Sequence, residues 1–130
     1  MQDNILYHKS HQILRLINRL ILELKIEHWN IKNRNEYHLH LLTQRLYEEL
    51  EDSLDKLAEE FRAISITINR NLLFCKPCDN PLKTYEILKI KTEKLIEYVK
   101  SQRFYGLENT LSEFLSLICK HIYLFNDYCD

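Results

Sequence analysis

Ile13, Ile17, Leu20 and Leu24 step along the chain by four, three and four residues, which places them on one side of an α-helix. The pattern predicts a first helix from about Asp3 to Trp29, and the next step of four lands on His28, turning that imidazole inward. A longer stripe, Leu39, Leu42, Leu46, Leu50, Leu54, Leu57, Phe61 and Ile64, predicts an unbroken second helix from Asn35 or Glu36 to Ile64. Residues 65–81, "SITINRNLLFCKPCDNP", lose the period and hold both prolines. They read as a connection, with a short β-like or helical piece at Ile66–Phe74. A third helix is expected from Leu82 to Gln102 or Phe104, with Ile87, Leu88, Leu95, Tyr98 and Val99 inward. Gly106 marks the next corner. A fourth helix follows from Leu107 to Tyr128, burying Leu111, Phe114, Leu115, Ile118, Ile122 and Phe125. Four helices, two short corners and a longer crossover between the second and third make an all-α four-helix bundle.

Composition narrows this picture without changing it. At 130 residues, 45% apolar and 28% charged, the chain is expected to form one domain over residues 1–130 with a real core. One Gly and two Pro leave few places to break a helix. Eighteen basic and 19 acidic residues are interspersed, for a net charge of −1, so nucleic acid is not an expected partner. The opening "MQDNILYHKS" has no signal-peptide organisation and no apolar run is long enough to span a bilayer, so the expected location is cytoplasmic, away from membranes. Cys75, Cys78, Cys119 and Cys129 are too few and too uneven for a disulfide framework and read as thiols.

The stretch "EHWNIKNRNEYHLHL" raises a question of chemistry. His28 and His40 stand six residues on either side of Arg34, so a turn between antiparallel helices puts both imidazoles at one height. Beside its apolar stripe the second helix also carries His40, Gln44, Tyr47, Glu51, Asp55 and Glu59, with Asp55 and Glu59 spaced i, i+4 on one face. Two imidazoles and two carboxylates suit a divalent iron, manganese or zinc ion. His40 and Asp55 share a side of the helix but lie about 22 Å apart along its axis. One chain cannot bring them to one metal. A second, antiparallel copy can, and a two-fold axis then makes two identical sites per dimer. The plainer reading takes the carboxylates as a solvated face and the inward histidine as a hydrogen-bonded core residue.

"HWNIK" followed by "LHLLTQRLYEELEDSLDKLAEEFRAI" resembles the Dps, or mini-ferritin, branch of the ferritin-like superfamily. The His-Trp near the end of the first helix, the Leu-His early in the second and the run "DKLAEEFRAI" carry the resemblance, with "CKHIYLFNDY" resembling the closing segment. It implies a ferritin-like bundle with a mono- or di-metal site between subunits: His28 and His40 from one chain, Asp55 and Glu59 from its partner. Ferrous iron would be oxidised there by peroxide or dioxygen and stored in a twelve-subunit shell, with Trp29 packed near the site. Three features depart from the pattern. Gln44 stands where an acidic ligand is usual, a basic N-terminal tail is absent, and the crossover is shorter by on the order of 20 residues, enough for one short helix. A homodimer is therefore the expected assembly, its contact built from Tyr47, Leu50 and Leu54, with a dodecamer as the alternative. The competing function is a non-enzymatic dimeric bundle that has lost its metal chemistry.

Cys75 and Cys78, as "CKPC", have zinc-knuckle or redox spacing, but zinc would need Cys119 and Cys129, and so a crossover folded over the fourth helix. Two loop thiols are the simpler expectation. His8 and His11 read as solvated, His38 as exposed, and His121 as a packing or hydrogen-bonding residue.

Overall fold

A computed structural model describes residues 4–32, 36–72 and 76–129 of the chain. Four helices follow one another: α1 (Asn4–Asn30), α2 (Tyr37–Ala63), α3 (Pro81–Ser101) and α4 (Tyr105–Cys129). Ile13, Ile17, Leu20 and Leu24 of α1 meet Leu46, Leu50 and Phe61 of α2, Leu88, Leu95 and Val99 of α3, and Leu111 and Ile118 of α4 in a core that excludes solvent completely. Each such aliphatic side chain contributes about 1.5–3 kcal/mol by leaving water. The core also takes in Tyr85, Thr84, Thr92 and Leu107, which the apolar pattern did not single out, while Ile87, Leu115 and Ile122 are only half-buried.

The helix ends explain how a chain with one glycine turns. After α2, Ser65 adopts a left-handed φ of 73°. Its N–H donates to Arg62 O, and the Ile66 N–H donates to Phe61 O, both at 2.9 Å. Arg103 does the same after α3 at φ 64°, with Arg103 N–H on Lys100 O and Phe104 N–H on Val99 O. Both ends are Schellman motifs, and buried Ile66 over Phe61 supplies the apolar clasp. A non-glycine residue in this conformation costs on the order of 1 kcal/mol. The expected corner at Gly106 is thus corrected: Arg103 makes the turn and Gly106 lies inside α4. Pro81 is corrected too. It opens α3, where its missing N–H costs nothing, with the Asn80 side chain accepting from Lys83 N–H at 3.3 Å.

Helix α1 packs on α2 and α3, and α4 packs on α2 and α3, leaving α2 diagonal to α3 and α1 diagonal to α4. The described parts of the crossover lie against α1. Its Asn69 N–H donates to His11 Nε2 at 2.9 Å, and further on Cys78 N–H donates to Glu23 at 2.7 Å. Between Ser65 and Leu72 the crossover has neither helix nor strand, only a turn closed by Leu72 N–H on Asn69 O; the rest of the expected β-like or helical piece, Leu73 and Phe74, lies outside the described residues. No helix among the described residues is long and apolar enough to cross a membrane.

Candidate metal centre

The turn between α1 and α2 brings His28 and His40 together with ring centroids 3.7 Å apart and planes 20° from parallel. Their backbones and rings are cross-bonded. His28 Nδ1–H donates to His40 O at 2.8 Å and shares its proton with Thr43 Oγ1 at 3.2 Å. His40 Nδ1–H donates to His28 O at 3.3 Å. A carbonyl can only accept, so both rings are held as the Nδ1–H tautomer with the Nε2 lone pair left over. Neither Nε2 has a partner among the described residues, and the one buried side-chain polar atom without a hydrogen bond is Glu23 Oε1. His28 is buried at 9% exposure and His40 is half-buried. This is the arrangement metal-binding histidines use: one nitrogen anchored to a carbonyl, the other free to ligate.

The carboxylates lie elsewhere. Asp55 and Glu59 are exposed, about four and five turns past His40 along α2, and neither side chain forms an ion pair or hydrogen bond among the described residues. Between the imidazoles and these carboxylates, Lys25 of α1 pairs with Glu51 at 2.8 Å and lies 5.4 Å from the centre of the Tyr47 ring. The Gln44 amide donates to Glu48 at 3.0 Å. Among the described residues no three His, Cys, Asp or Glu side chains gather within one chain to hold a metal. The donor types fit a borderline divalent ion, two neutral nitrogens on one patch and two anionic oxygens on another, but only where a second copy supplies the missing half. Leu50 is corrected: it is fully enclosed in the bundle and cannot serve a contact with a partner, whereas Tyr47 and Leu54 are half-buried. Trp29, Tyr37 and Leu41 are exposed beside the imidazoles, Tyr37 stacking on His40 at 6.0 Å.

Two further histidines are interior, for a different reason. His121 is buried between Tyr85 of α3 and Glu49 of α2. Its Nε2–H donates to Glu49 Oε2 at 2.7 Å, and its Nδ1 accepts from the Tyr85 hydroxyl at 2.8 Å. Burial pushes His121 below its ordinary value of 6.5, against the pull of Glu49. Burial also raises the Tyr85 phenol well above 10.0, with the Glu49 charge adding to it. Burial alone would raise Glu49, yet hydrogen bonds from His121 and Arg45 hold it below 4.5. His11 contradicts the expectation of a solvated residue: it is buried, with Nδ1–H on Tyr7 O at 2.8 Å and Nε2 accepting from Asn69. A sequence offers no trace of that bond, because its partner is a backbone N–H 58 positions away. His8 and His38 are exposed.

The crossover follows α1, diagonal to α4, so Cys78 is not carried to Cys119 and the zinc reading loses its geometric condition. Cys75 lies outside the described residues. One surface feature was invisible in the linear charge pattern: His8 and Lys9 of α1 line a shallow hollow with Lys91 and Lys94 of α3.

The helix order, the diagonal crossover and the paired histidines at one end define a ferritin-like four-helix bundle. No family model and no curated protein matches the sequence. Among solved structures the chain is similar to the crystal structure of Dps from Staphylococcus aureus, with a TM-score of 0.83 and 18% identity, covering 100% of this chain and 99% of that one. The fold is Dps-like.

Proposed function

We propose that the chain binds ferrous iron as a substrate at a site shared by two copies and oxidises it with peroxide or dioxygen. The observation that carries this reading is the cross-bonded pair, His28 and His40, whose Nδ1 atoms are spent on each other's carbonyls while Nε2 has no partner among the described residues. Asp55 and Glu59 of a second copy supply the carboxylates, and their two negative charges balance one divalent ion. With Gln44 bonded to Glu48 instead of offering a charge, a second ion is held more weakly. Each peroxide takes one electron from each of two ferrous ions, and its oxygens leave as water with two protons. Manganese or zinc would satisfy the same donors. Exposed Trp29, at 64%, and Tyr37, at 62%, are apolar surface that a second copy would cover, which supports a homodimer. The Gln44–Glu48 bond also favours the competing reading, a dimeric bundle without metal chemistry.

Mixing separates the two. Chains carrying His28→Ala and His40→Ala, refolded with chains carrying Asp55→Ala and Glu59→Ala, should recover one good site per mixed dimer in a cobalt or ferrous titration. Recovery of none contradicts the shared site, and parent-like binding by either variant alone shows that the ligands are wrong. Light scattering should give about 32 kDa, two chains of 15.8 kDa; a mass near twelve chains would instead restore mineral storage.

A further inference from the structure

On the described far side of the crossover, Cys78 lies against the carboxylate of Glu23, whose side chain is fully enclosed. One oxygen does all the bonding. Glu23 Oε2 accepts from Arg19 Nε at 3.2 Å, from Cys78 N–H at 2.7 Å and from the Cys78 thiol at 3.0 Å, while buried Oε1 has no partner. The guanidinium then reaches past the carboxylate. Arg19 Nη2 stands 3.2 Å from Cys78 Sγ and donates to Thr84 Oγ1 at 3.0 Å, and the Thr84 hydroxyl lies 3.6 Å from the same sulfur. Cys78 is nevertheless exposed, so its sulfur has a charged, hydrogen-bonded floor and an open face.

This environment differs from that of an ordinary loop thiol. A thiolate is the nucleophilic form of cysteine, and a guanidinium in contact favours it. Moving the thiol proton along the 3.0 Å bond to Glu23 leaves the cluster's total charge unchanged, because the thiolate replaces the carboxylate as the partner of Arg19. Thr84, held by Arg19, can donate to the sulfur as negative charge builds there.

We propose that Cys78 is a peroxide-reducing nucleophile, with Glu23 as its proton acceptor and Arg19 and Thr84 stabilising the thiolate. The thiol proton passes to Glu23 Oε2. The sulfur attacks one oxygen of a hydroperoxide, an S–O bond forms and the O–O bond breaks. The departing oxygen takes the proton from Glu23 and leaves as water or an alcohol. Sulfur is oxidised by two electrons to a sulfenic acid and the peroxide is reduced by two. The site is separate from the metal centre, since Glu23 and His28 are five residues apart on α1 and point about 140° away from each other.

The test uses the full chain, reduced and held metal-free with a chelator so that iron consumes no peroxide. Hydrogen peroxide is added at stoichiometric concentration, and free thiol at Cys78 and Cys119 is followed in the same molecules by isotope-coded alkylation and peptide mass spectrometry. Cys119, also exposed, is the internal comparator. Cys78 should lose its thiol faster by on the order of tenfold or more. A protein with Cys75→Ser should carry the adduct of a cyclic 1,3-diketone, a sulfenic-acid trap, on Cys78. Glu23→Gln, and Arg19→Leu or Thr84→Val should the first not fold, should bring Cys78 down to the rate of Cys119 while far-UV circular dichroism stays helical. Equal rates at the two cysteines in the parent protein overturn the proposal without any variant. So does a rate advantage that survives both Glu23→Gln and the loss of Arg19 or Thr84.

Discussion

The His28–His40 pair and the Tyr85–His121–Glu49 chain are both polar stations set among leucines, and they spend their nitrogens in opposite ways. His121 uses both: one donates to Glu49 and the other accepts from Tyr85. His11 likewise closes both, on Tyr7 and Asn69. His28 and His40 each use one, on the other's backbone carbonyl, and leave Nε2 over. A saturated imidazole ties helices together, because a buried polar atom that loses its partner is costly. A half-used imidazole keeps a lone pair for a ligand. What separates structure from chemistry here is the number of ring nitrogens already spent.

The contrast is sharpest in mutants that exchange stability for binding. His121→Ala strands the Tyr85 hydroxyl, uncouples Glu49 and leaves a cavity, so urea unfolding should show a loss of about 2–4 kcal/mol. Cobalt affinity should stay at the parent level. His40→Ala should do the reverse. Its ring is half-buried, and we expect less than about 1 kcal/mol of destabilisation but a loss of metal affinity on the order of 100-fold, with Asp55→Asn weakening binding to a similar degree. If both variants bind cobalt as the parent does, the half-used nitrogens have no ligand and the two stations are alike.

Smaller changes refine the same distinction. Thr43→Val removes the hydroxyl that shares the His28 Nδ1 proton but keeps the bond to His40 O. It should loosen the ring's orientation and weaken metal binding by about tenfold. An undiminished affinity would mean that the carbonyl alone holds the ring. The smallest effect is one of pH. Folded His121 takes up a proton less readily than the unfolded chain does. As pH falls below 6.5, the unfolded state gains protons first and stability declines; above that value His121 contributes no slope. Glu49, held low in the fold, adds a second loss as pH falls through its own lowered range beneath 4.5. Unfolding curves between pH 7 and 5 should show the first decline in the parent and lack it in His121→Ala.

Periodicity was enough to place four helices and the inward turn of His28, and a turn between the first two helices put His40 at the same height. These are consequences of 3.6 residues per turn and of two helices joined by a short polar turn. The stacking of the two rings is a finding of the structure. What tertiary structure decided are the pairings between distant residues. It put Arg103 rather than Gly106 at the last corner, because the Schellman bonds need a left-handed residue where α3 ends, and arginine accepts that cost. It sent the crossover along α1, which buried His11 under Asn69 and brought Cys78 to Glu23, Arg19 and Thr84 instead of to Cys119. It enclosed Leu50, leaving the outer edge of α2 to Tyr47 and Leu54. A hydrophobic stripe says which way a side chain turns relative to its own helix. Which partner waits there depends on how four helices pack and on the path a loop takes between them, and that is written only in three dimensions.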